Sequence, residues 1–453
     1  MRDSTVQKAN KAINLKKNIL LSSSFRLVIM FFGVITGWIS TRYLGVEIKG
    51  QYSYLITSAT FITMILGLGL YQSYPYILRK EPERIGNILQ WSLFMYVSEL
   101  LLFTSLGYYF LEFWSIQSGI NLQMVLIFAF AIYIASSKFS MQMQQIYIGQ
   151  DRVFTNSIVQ LLRTLLVLSA VLIAYFGKID NDKLSYLIIS IAIADVICVL
   201  IYVFGQNWLH LFRRFDFGFI VRTYGLGIKV FLSSLFILLL IRSDIFLIKK
   251  FLNFKDVGIY AISANIVDML QLLSNIVGGL LLVKLSDHKN HAESWYLMKK
   301  VLMSFTILLG LINIGFVIAG KPLMAILYGN DFIPSYYVYL WLIPASFGLS
   351  FGSLFNTYLW SKGFPIVSIL LPMGALVLNV VINIILIPIM GITGAALSTS
   401  IAYILWFVSI VVFEHYHSGG KLIAAIIPKP NDWRDFISSE YTQLRNRFRG
   451  AIR

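Results

Sequence analysis

Charge is scarce in this sequence. Asp, Glu, Lys and Arg make up 13% of its 453 residues and hydrophobic residues 58%, where a soluble domain carries about 25% charged. Halving the charge excludes an ordinary soluble enzyme, and the apolar excess excludes intrinsic disorder. It also excludes a nucleic-acid-binding protein despite the net charge of +16, because such a protein spreads its basic residues over a soluble surface. Cysteine is nearly absent: Cys198 stands alone, so neither a disulfide framework nor a cysteine metal cluster can form. The five histidines make no HExxH motif, and no GxxxxGKS or GxxxxGKT loop is there to cradle a nucleotide phosphate. His415 and His417, at the end of a hydrophobic segment, read as an interfacial pair. Nothing calls for a cofactor or a metal.

What the sequence has instead is long apolar runs. A bilayer core about 30 Å thick needs about 20 apolar residues as a helix. Twelve runs meet that need: Ile19–Thr41, Gln51–Tyr74, Ile88–Phe110, Leu122–Ile148, Phe154–Phe176, Leu184–Phe204, Leu226–Phe246, Val257–Val283, Met298–Ala319, Tyr336–Leu359, Pro365–Pro388 and Ile392–Phe413. Polar residues precede the first run, so no cleavable leader is expected. Connections are short, which leaves no room for a folded soluble domain between spans. Trp38, Trp91, Trp114, Trp208 and Trp360 fall near span ends, where an aromatic belt places them.

Basic residues orient the chain. With the N-terminus in the cytoplasm, 24 of the 37 Lys and Arg residues fall on the inner side and 9 on the outer, so both termini are expected inside. Arg42, Lys49 and the run from Arg242 to Lys255 are on the outer side. After Pro428 and Pro430, Trp433, Phe436, Ile437, Tyr441, Leu444 and Phe448 share a helical face, with Arg445, Arg447 and Arg449 around it. That pattern suits a helix lying on an anionic inner leaflet; a solvated basic tail is the plainer reading.

The basic connection 205–225 divides the spans six and six. Tyr43-Leu44, followed by Gly50 and Tyr52, matches Phe251-Leu252, followed by Gly258 and Tyr260, at an offset of 208 residues. Six spans per half give both halves one orientation and so a parallel repeat about an axis along the membrane normal. The expected fold is an all-α polytopic membrane protein, with about twelve transmembrane helices in two pseudo-symmetric six-helix lobes around a central cavity. Residues 1–18 form a cytoplasmic segment, 19–204 the N-lobe, 205–225 a linker, 226–413 the C-lobe and 414–453 the tail.

Charges inside spans cost about 2.5–3.5 kcal/mol on insertion scales, so they face a cavity or a partner. The cations are Arg26, Lys138, Arg163, Lys229 and Arg242; the anions are Glu99, Asp195, Asp244 and Asp268. Lys138, Gln142 and Gln145 share one face of the fourth span, and Asn156, Gln160 and Arg163 one face of the fifth. Asp268, Gln271 and Asn275 form a stripe on the eighth, and Asn379 and Asn383 pair on the eleventh. Two readings compete: a water-filled, mostly basic cavity, or interhelical hydrogen bonds and buried ion pairs. Glu99 and Asp195 read as structural partners, Lys229 as a cation able to snorkel, Arg242 and Asp244 as a local pair, and Asp268 as a counter-charge or an ion-coupling carboxylate. Pro344 and Pro372 interrupt two spans as hinges or kinks. Gly33-x-x-x-Gly37 permits close helix approach.

Several short stretches resemble one family. They are Arg42-Tyr-Leu-Gly-Val-Glu-Ile-Lys-Gly50-Gln-Tyr52, Arg242-Ser-Asp244, Asp256-Val-Gly258-Ile-Tyr260-Ala261, Leu327-Tyr-Gly329-Asn-Asp331-Phe332, and Pro388-Ile-Met-Gly391-Ile-Thr-Gly394-Ala-Ala396. In order and spacing, over nearly the whole chain, these resemble the O-antigen flippases of polysaccharide biosynthesis. That family shares a superfamily with the multidrug-and-toxin extrusion antiporters and the lipid II flippases. The resemblance implies a transporter, not an enzyme, in a bacterial cytoplasmic membrane. Its cargo would be a polyprenyl-diphosphate-linked oligosaccharide of the O-antigen or capsule type, moved to the outer leaflet by alternating access. Its partners would be that lipid, the surrounding membrane lipids, and a glycan polymerase with its chain-length machinery. Arg26 and Arg42 match by location the cavity arginines of lipid II flippases, Arg242 less closely; two extra helices of the lipid II type are missing. A diphosphate calls for Arg or Lys, which points to Arg26, Arg42, Lys138, Arg163, Lys229 and Arg242. A glycan calls for neutral polar groups such as Gln142, Gln145, Asn156, Gln160, Gln271 and Asn275. A cation-coupled drug antiporter is the nearest rival and would favour acidic cavity residues. A membrane glycan polymerase or ligase would need a large outer loop, and Asp180-Asn-Asp182 falls outside, where nucleotide sugars are absent.

Overall fold

A computed structural model describes residues 2–105, 109, 119–120, 123–207, 214–287, 291–362, 365–435 and 438. Side chains are described within these from Ser24 onward, apart from 104, 226, 280, 282–287 and 291–292. Phe436, Ile437, Tyr441, Leu444, Arg445, Arg447, Phe448 and Arg449 of the expected tail helix lie outside the described residues, as does 208–213 of the linker.

The described residues form helices and no strands. They are α1 Arg2–Gly67, α2 Leu70–Lys80, α3 Ile85–Ser105, α4 Met124–Gly149, α5 Val153–Phe176, α6 Lys183–Phe204, α7 Phe217–Phe251, α8 Phe254–Asp287, α9 His291–Tyr328, α10 Ile333–Ser361, α11 Val367–Met390, α12 Ile392–His417 and the short α13 Leu422–Ile426. Among them, eleven stretches are long and apolar enough to cross a membrane. The first, Ser24–Gly67, covers two expected spans. Its 44 residues rise about 66 Å, twice the hydrocarbon thickness, and helical geometry breaks within it at Gly45 (φ 74°, ψ 176°). The connection expected at 42–50 is therefore a one-residue kink, and Lys49 stands in a helix.

The second expected span also differs. It breaks at Leu68 and Gly69, both at positive φ, and resumes as α2. Gly69 is needed there: a Cβ would collide with the Phe231 Cβ and meet the Gly227 carbonyl of α7 at 2.9 Å. Gly227 reciprocates, since its own Cβ would press on the Gly69 carbonyl at 2.5 Å.

The chain divides into two units, residues 1–261 with 324–334, and 262–323 with 335–453. In the first, α4 is the central helix. It packs against α2, α3, α1, α5 and α6 and buries Lys138 and Gln142 among its apolar and small residues. Leu55, Phe130, Ile134, Leu184 and Ile188 fill one region of the core, and Tyr74, Ile88, Met143, Tyr147, Val199 and Tyr202 another. The two repeat motifs meet here. A Cβ on Gly50 would collide with the Phe254 carbonyl, and a Cβ on Gly258 with the Val46 carbonyl. Gly50 and Gly258 are 208 positions apart, and so are Val46 and Phe254. The contact is thus reciprocal, as a two-fold relation between the motifs requires. Asp216 caps α7 by accepting from the Phe219 N–H at 2.9 Å, and it also accepts from Arg84 Nη1 at 2.9 Å. These bonds hold its carboxyl below the usual range, the backbone bond most.

In the second unit, α11 and α12 pack as a hairpin through Gly391 (φ 62°). Gly348 lets α10 approach the α12 backbone, where a Cβ would lie 2.7 Å from Ile404 N. Asn313 of α9 donates to Ser346 and accepts from Tyr339, both of α10. Asn383 donates to Asn379 at 2.9 Å, the pair read from their spacing. Pro344 and Pro372 lie inside α10 and α11.

Candidate functional site

The structure sorts the intramembrane charges by partner. Lys138, 1% exposed, donates to the Glu99 carboxylate; α4 and α3 bring together two residues 39 positions apart. Arg163 of α5 donates through Nε and Nη2 to both carboxylate oxygens of Asp195 on α6. Asp195 is sealed at 1% side-chain exposure, whereas Arg163 keeps 33%. Guanidinium carries five N–H donors, so Arg163 has donors left after its carboxylate is satisfied.

Those donors face an opening. Arg163 lines a cavity of about 310 Å³ in the first unit, together with Gly33, Thr36, Gly37, Ser40, Lys49, Tyr52, Ile56, Tyr133, Thr164, Val167 and Ile191. The lining comes from α1, α4, α5 and α6. Gly33 and Gly37 have nothing within 4 Å of an added Cβ. The close helix contact expected of them is thus replaced by open space along the cavity wall.

Lys49 is the residue that sequence reasoning missed as a site. It is 4% exposed, its ammonium lies 5.1 Å from the Tyr52 ring centroid, and no carboxylate comes within ion-pair distance of it among the described residues. Counted as a loop residue, it looked like an orientation signal. The signal that finds it is helical register: Lys49, Tyr52 and Ile56 recur at i, i+3 and i+7, and all three line the cavity.

The other residues expected at a site are dispersed. Arg26 is exposed. Arg42, also exposed, donates to the Ile326 carbonyl at 3.2 Å, and Trp38 Nε1 donates to the Leu327 carbonyl at 2.6 Å. Both satisfy carbonyls left open at the C-terminus of α9. Lys229 is exposed and Arg242 half-buried; Asp244 accepts from the Tyr260 hydroxyl at 2.6 Å. Gln142 is buried beside Lys138, and Gln145 half-buried. Asn156 accepts from the Tyr202 hydroxyl at 2.7 Å, and Gln160 donates to it at 3.3 Å. Asp268, Gln271 and Asn275 belong to the second unit, where Gln271 donates to Ser353 at 3.1 Å. Of the six cations expected to meet an anionic head group, Arg163 alone lines this cavity.

A second cavity of about 320 Å³ adjoins the first through Tyr133, which lines both. Its walls are Thr60, Thr63, Met64, Tyr71, Gln72, Tyr133, Ser137, Met141, Ser234 and Leu238. It holds hydroxyl, amide and aromatic groups and no charge.

The described residues contain no group of three or more His, Cys, Asp or Glu able to hold a metal. The chain can therefore offer a partly neutralised guanidinium and an uncompensated ammonium to one anionic ligand. Burying an isolated ammonium costs several kcal/mol unless an anion compensates it.

A family model described as polysaccharide biosynthesis protein matches residues 15–283, more than half of the chain. No curated protein matches by sequence. Solved structures match by fold. The lipid II flippase MurJ in an inward closed conformation superposes with a TM-score of 0.70 at 13% identity, covering 94% of this chain and 99% of that one. An inward-facing multidrug resistance MATE family transporter of the MOP superfamily gives 0.67 at 12% identity, over 88% and 99%. A MOP superfamily transporter from Pyrococcus furiosus, described as having a binding pocket of reverse polarity, gives 0.63 at 13%, over 90% and 96%. At these identities the likeness establishes the fold, that of the two-lobed, roughly twelve-helix transporters.

Proposed function

We propose, because the chain belongs to the polysaccharide biosynthesis protein family, that it carries a polyprenyl-diphosphate-linked oligosaccharide from the inner to the outer leaflet of a bacterial cytoplasmic membrane. The observation that carries this reading is Lys49: a cation 4% exposed, without a carboxylate partner among the described residues, lining a cavity that also takes Arg163. A diphosphate supplies the missing anion, and charge-assisted hydrogen bonds to it are the strong kind. Arg163 already has Asp195, so the pair adds donors without adding net charge. The cavity then carries one positive charge when empty, a modest attraction that allows release as well as capture.

In this reading the polyprenyl tail stays in lipid while the lobes, 19–204 and 226–413, rock around the head group with both termini cytoplasmic. Glycan polymerase and chain-length proteins receive the product. The O-antigen or capsule-type repeat is the cargo class that the sequence resemblance implies.

A cell lacking the protein tests it. Lipid-linked repeats should accumulate on the inner leaflet and surface polymer should vanish, with the parent restoring export and a variant bearing Lys49→Met and Arg163→Ala failing to do so at equal membrane abundance. Full restoration by that variant overturns the basic-cavity assignment. The fold of a multidrug transporter supports a second reading, drug export. Drug sensitivity of the deleted cell with normal surface glycan would establish that one instead.

A further inference from the structure

The neutral cavity beside the basic one has no part in holding a diphosphate, since it offers no cation. We propose that it is a sugar subsite, taking the sugar ring attached directly to the diphosphate; this rests on the diphosphate occupying the Lys49 cavity.

Chemistry and placement both argue for it. A sugar presents hydroxyls around its edge and C–H groups on its faces. It is held by donors and acceptors in small number and by aromatic rings laid against its faces. The cavity has Thr60, Thr63, Ser137 and Ser234 as hydroxyls, Gln72 as the amide, and Tyr71 and Tyr133 as rings. The Gln72 side-chain oxygen is sealed in the cavity wall and accepts no hydrogen bond from the described residues; a turn of the amide toward the cavity would gain it a sugar hydroxyl. A volume of about 320 Å³ lies at the small end of ligand pockets; it suits about one or two rings, not a whole oligosaccharide.

The backbone builds this site on purpose-shaped elements. Without the break at Leu68 and Gly69, the helix would run straight on from Gly67. The break lets α2 begin a new direction, and its first turn delivers Tyr71 and Gln72 to the same space as Thr60, Thr63 and Met64 of α1. Tyr133, Ser137 and Met141 recur every four residues on α4, and Ser234 and Leu238 do so on α7, so each helix contributes one face. Gly69 and Gly227 hold α7 against the break. Because Tyr133 lines both cavities, a glycolipid whose diphosphate occupies the Lys49 cavity would extend past Tyr133 toward the neutral one. The neutral walls let different sugars be accepted through hydroxyls alone, while the attached phosphate is read by charge.

Purified full-length protein in lipid nanodiscs would be titrated with two probes, a polyprenyl diphosphate with no sugar and the same lipid bearing one N-acetylhexosamine. The parent should bind the glycolipid more tightly. Gln72→Leu should weaken the glycolipid about 10-fold, the cost of one buried hydrogen bond, and leave the sugar-free lipid unchanged; Ser137→Ala should act in the same direction and less. Unchanged affinity for the sugar-free lipid shows in the same assay that the variant is folded. Lys49→Met should weaken both probes alike. If Gln72→Leu weakens both probes equally or neither, the sugar subsite is overturned while the Lys49 result stands. If Lys49→Met weakens neither, the diphosphate assignment falls, and a selective Gln72 effect then keeps a sugar site without it.

Discussion

Lys138 and Lys49 lie in the same unit and are nearly equally buried, at 1% and 4% exposure. The region where α3 meets α4 closes around Lys138 and supplies Glu99 as its partner. The region where α1 faces α5 and α6 leaves a cavity at Lys49; its carboxylate, Asp195, is taken by Arg163, and none among the described residues pairs with Lys49. Burial alone therefore says nothing about role. A paired charge is a component of the packing, whereas an unpaired one is a cost that the fold carries until an anion arrives.

The largest effect should come from breaking the paired region. Lys138→Ala leaves Glu99 buried without its cation and should cost about 3–5 kcal/mol, read as loss of folded protein in detergent unfolding. Lys138→Leu combined with Glu99→Leu should recover most of it. If the single variant is as stable as the parent, the pair is not structural.

Lys49→Met tests the other side. It removes an uncompensated charge, so stability should hold or rise while affinity for a polyprenyl diphosphate falls by about 10- to 100-fold, the worth of a charged hydrogen bond. A Lys49 variant that unfolds like Lys138→Ala would erase the contrast.

Of similar size, read in stability, is the repeat contact. Gly50→Ala pushes a methyl into the Phe254 carbonyl and should cost about 1–3 kcal/mol, as overpacking does; Gly258→Ala should match it, because the contact is reciprocal. Unequal losses would argue against the two-fold relation.

The smallest effect belongs to Asp216, half-buried and bound to Arg84. Its carboxyl is held below its ordinary value, so its contribution is present above about pH 4 and fades as pH falls through the lowered folded value. Asp216→Asn should differ slightly from the parent at pH 7, and the difference should shrink below about pH 4. A difference that grows on acidification would reverse the sign.

Spans and fold class were legible because hydropathy is local and cumulative: each helix announces itself within about 20 consecutive residues. The offset of 208 residues also survived, because Gly50 and Gly258 must both be small where their helices cross. Less visible was the break at Leu68–Gly69, since apolar composition runs through it unchanged and the need for it lies in Gly227 and Phe231, far along the chain.

The sequence by itself determined that this chain spans a membrane many times, resembles the polysaccharide flippases, and holds charges of both signs well inside its expected spans. Only the tertiary structure decided which of those charges are satisfied. Glu99 meets Lys138 and Asp195 meets Arg163 through helix packing, and pairing depends on distances of a few ångströms between side chains that sequence separation does not encode. For the same reason Lys49, assigned to a loop by its neighbours, became the buried cation of the site: its meaning depends on what lies across the cavity from it.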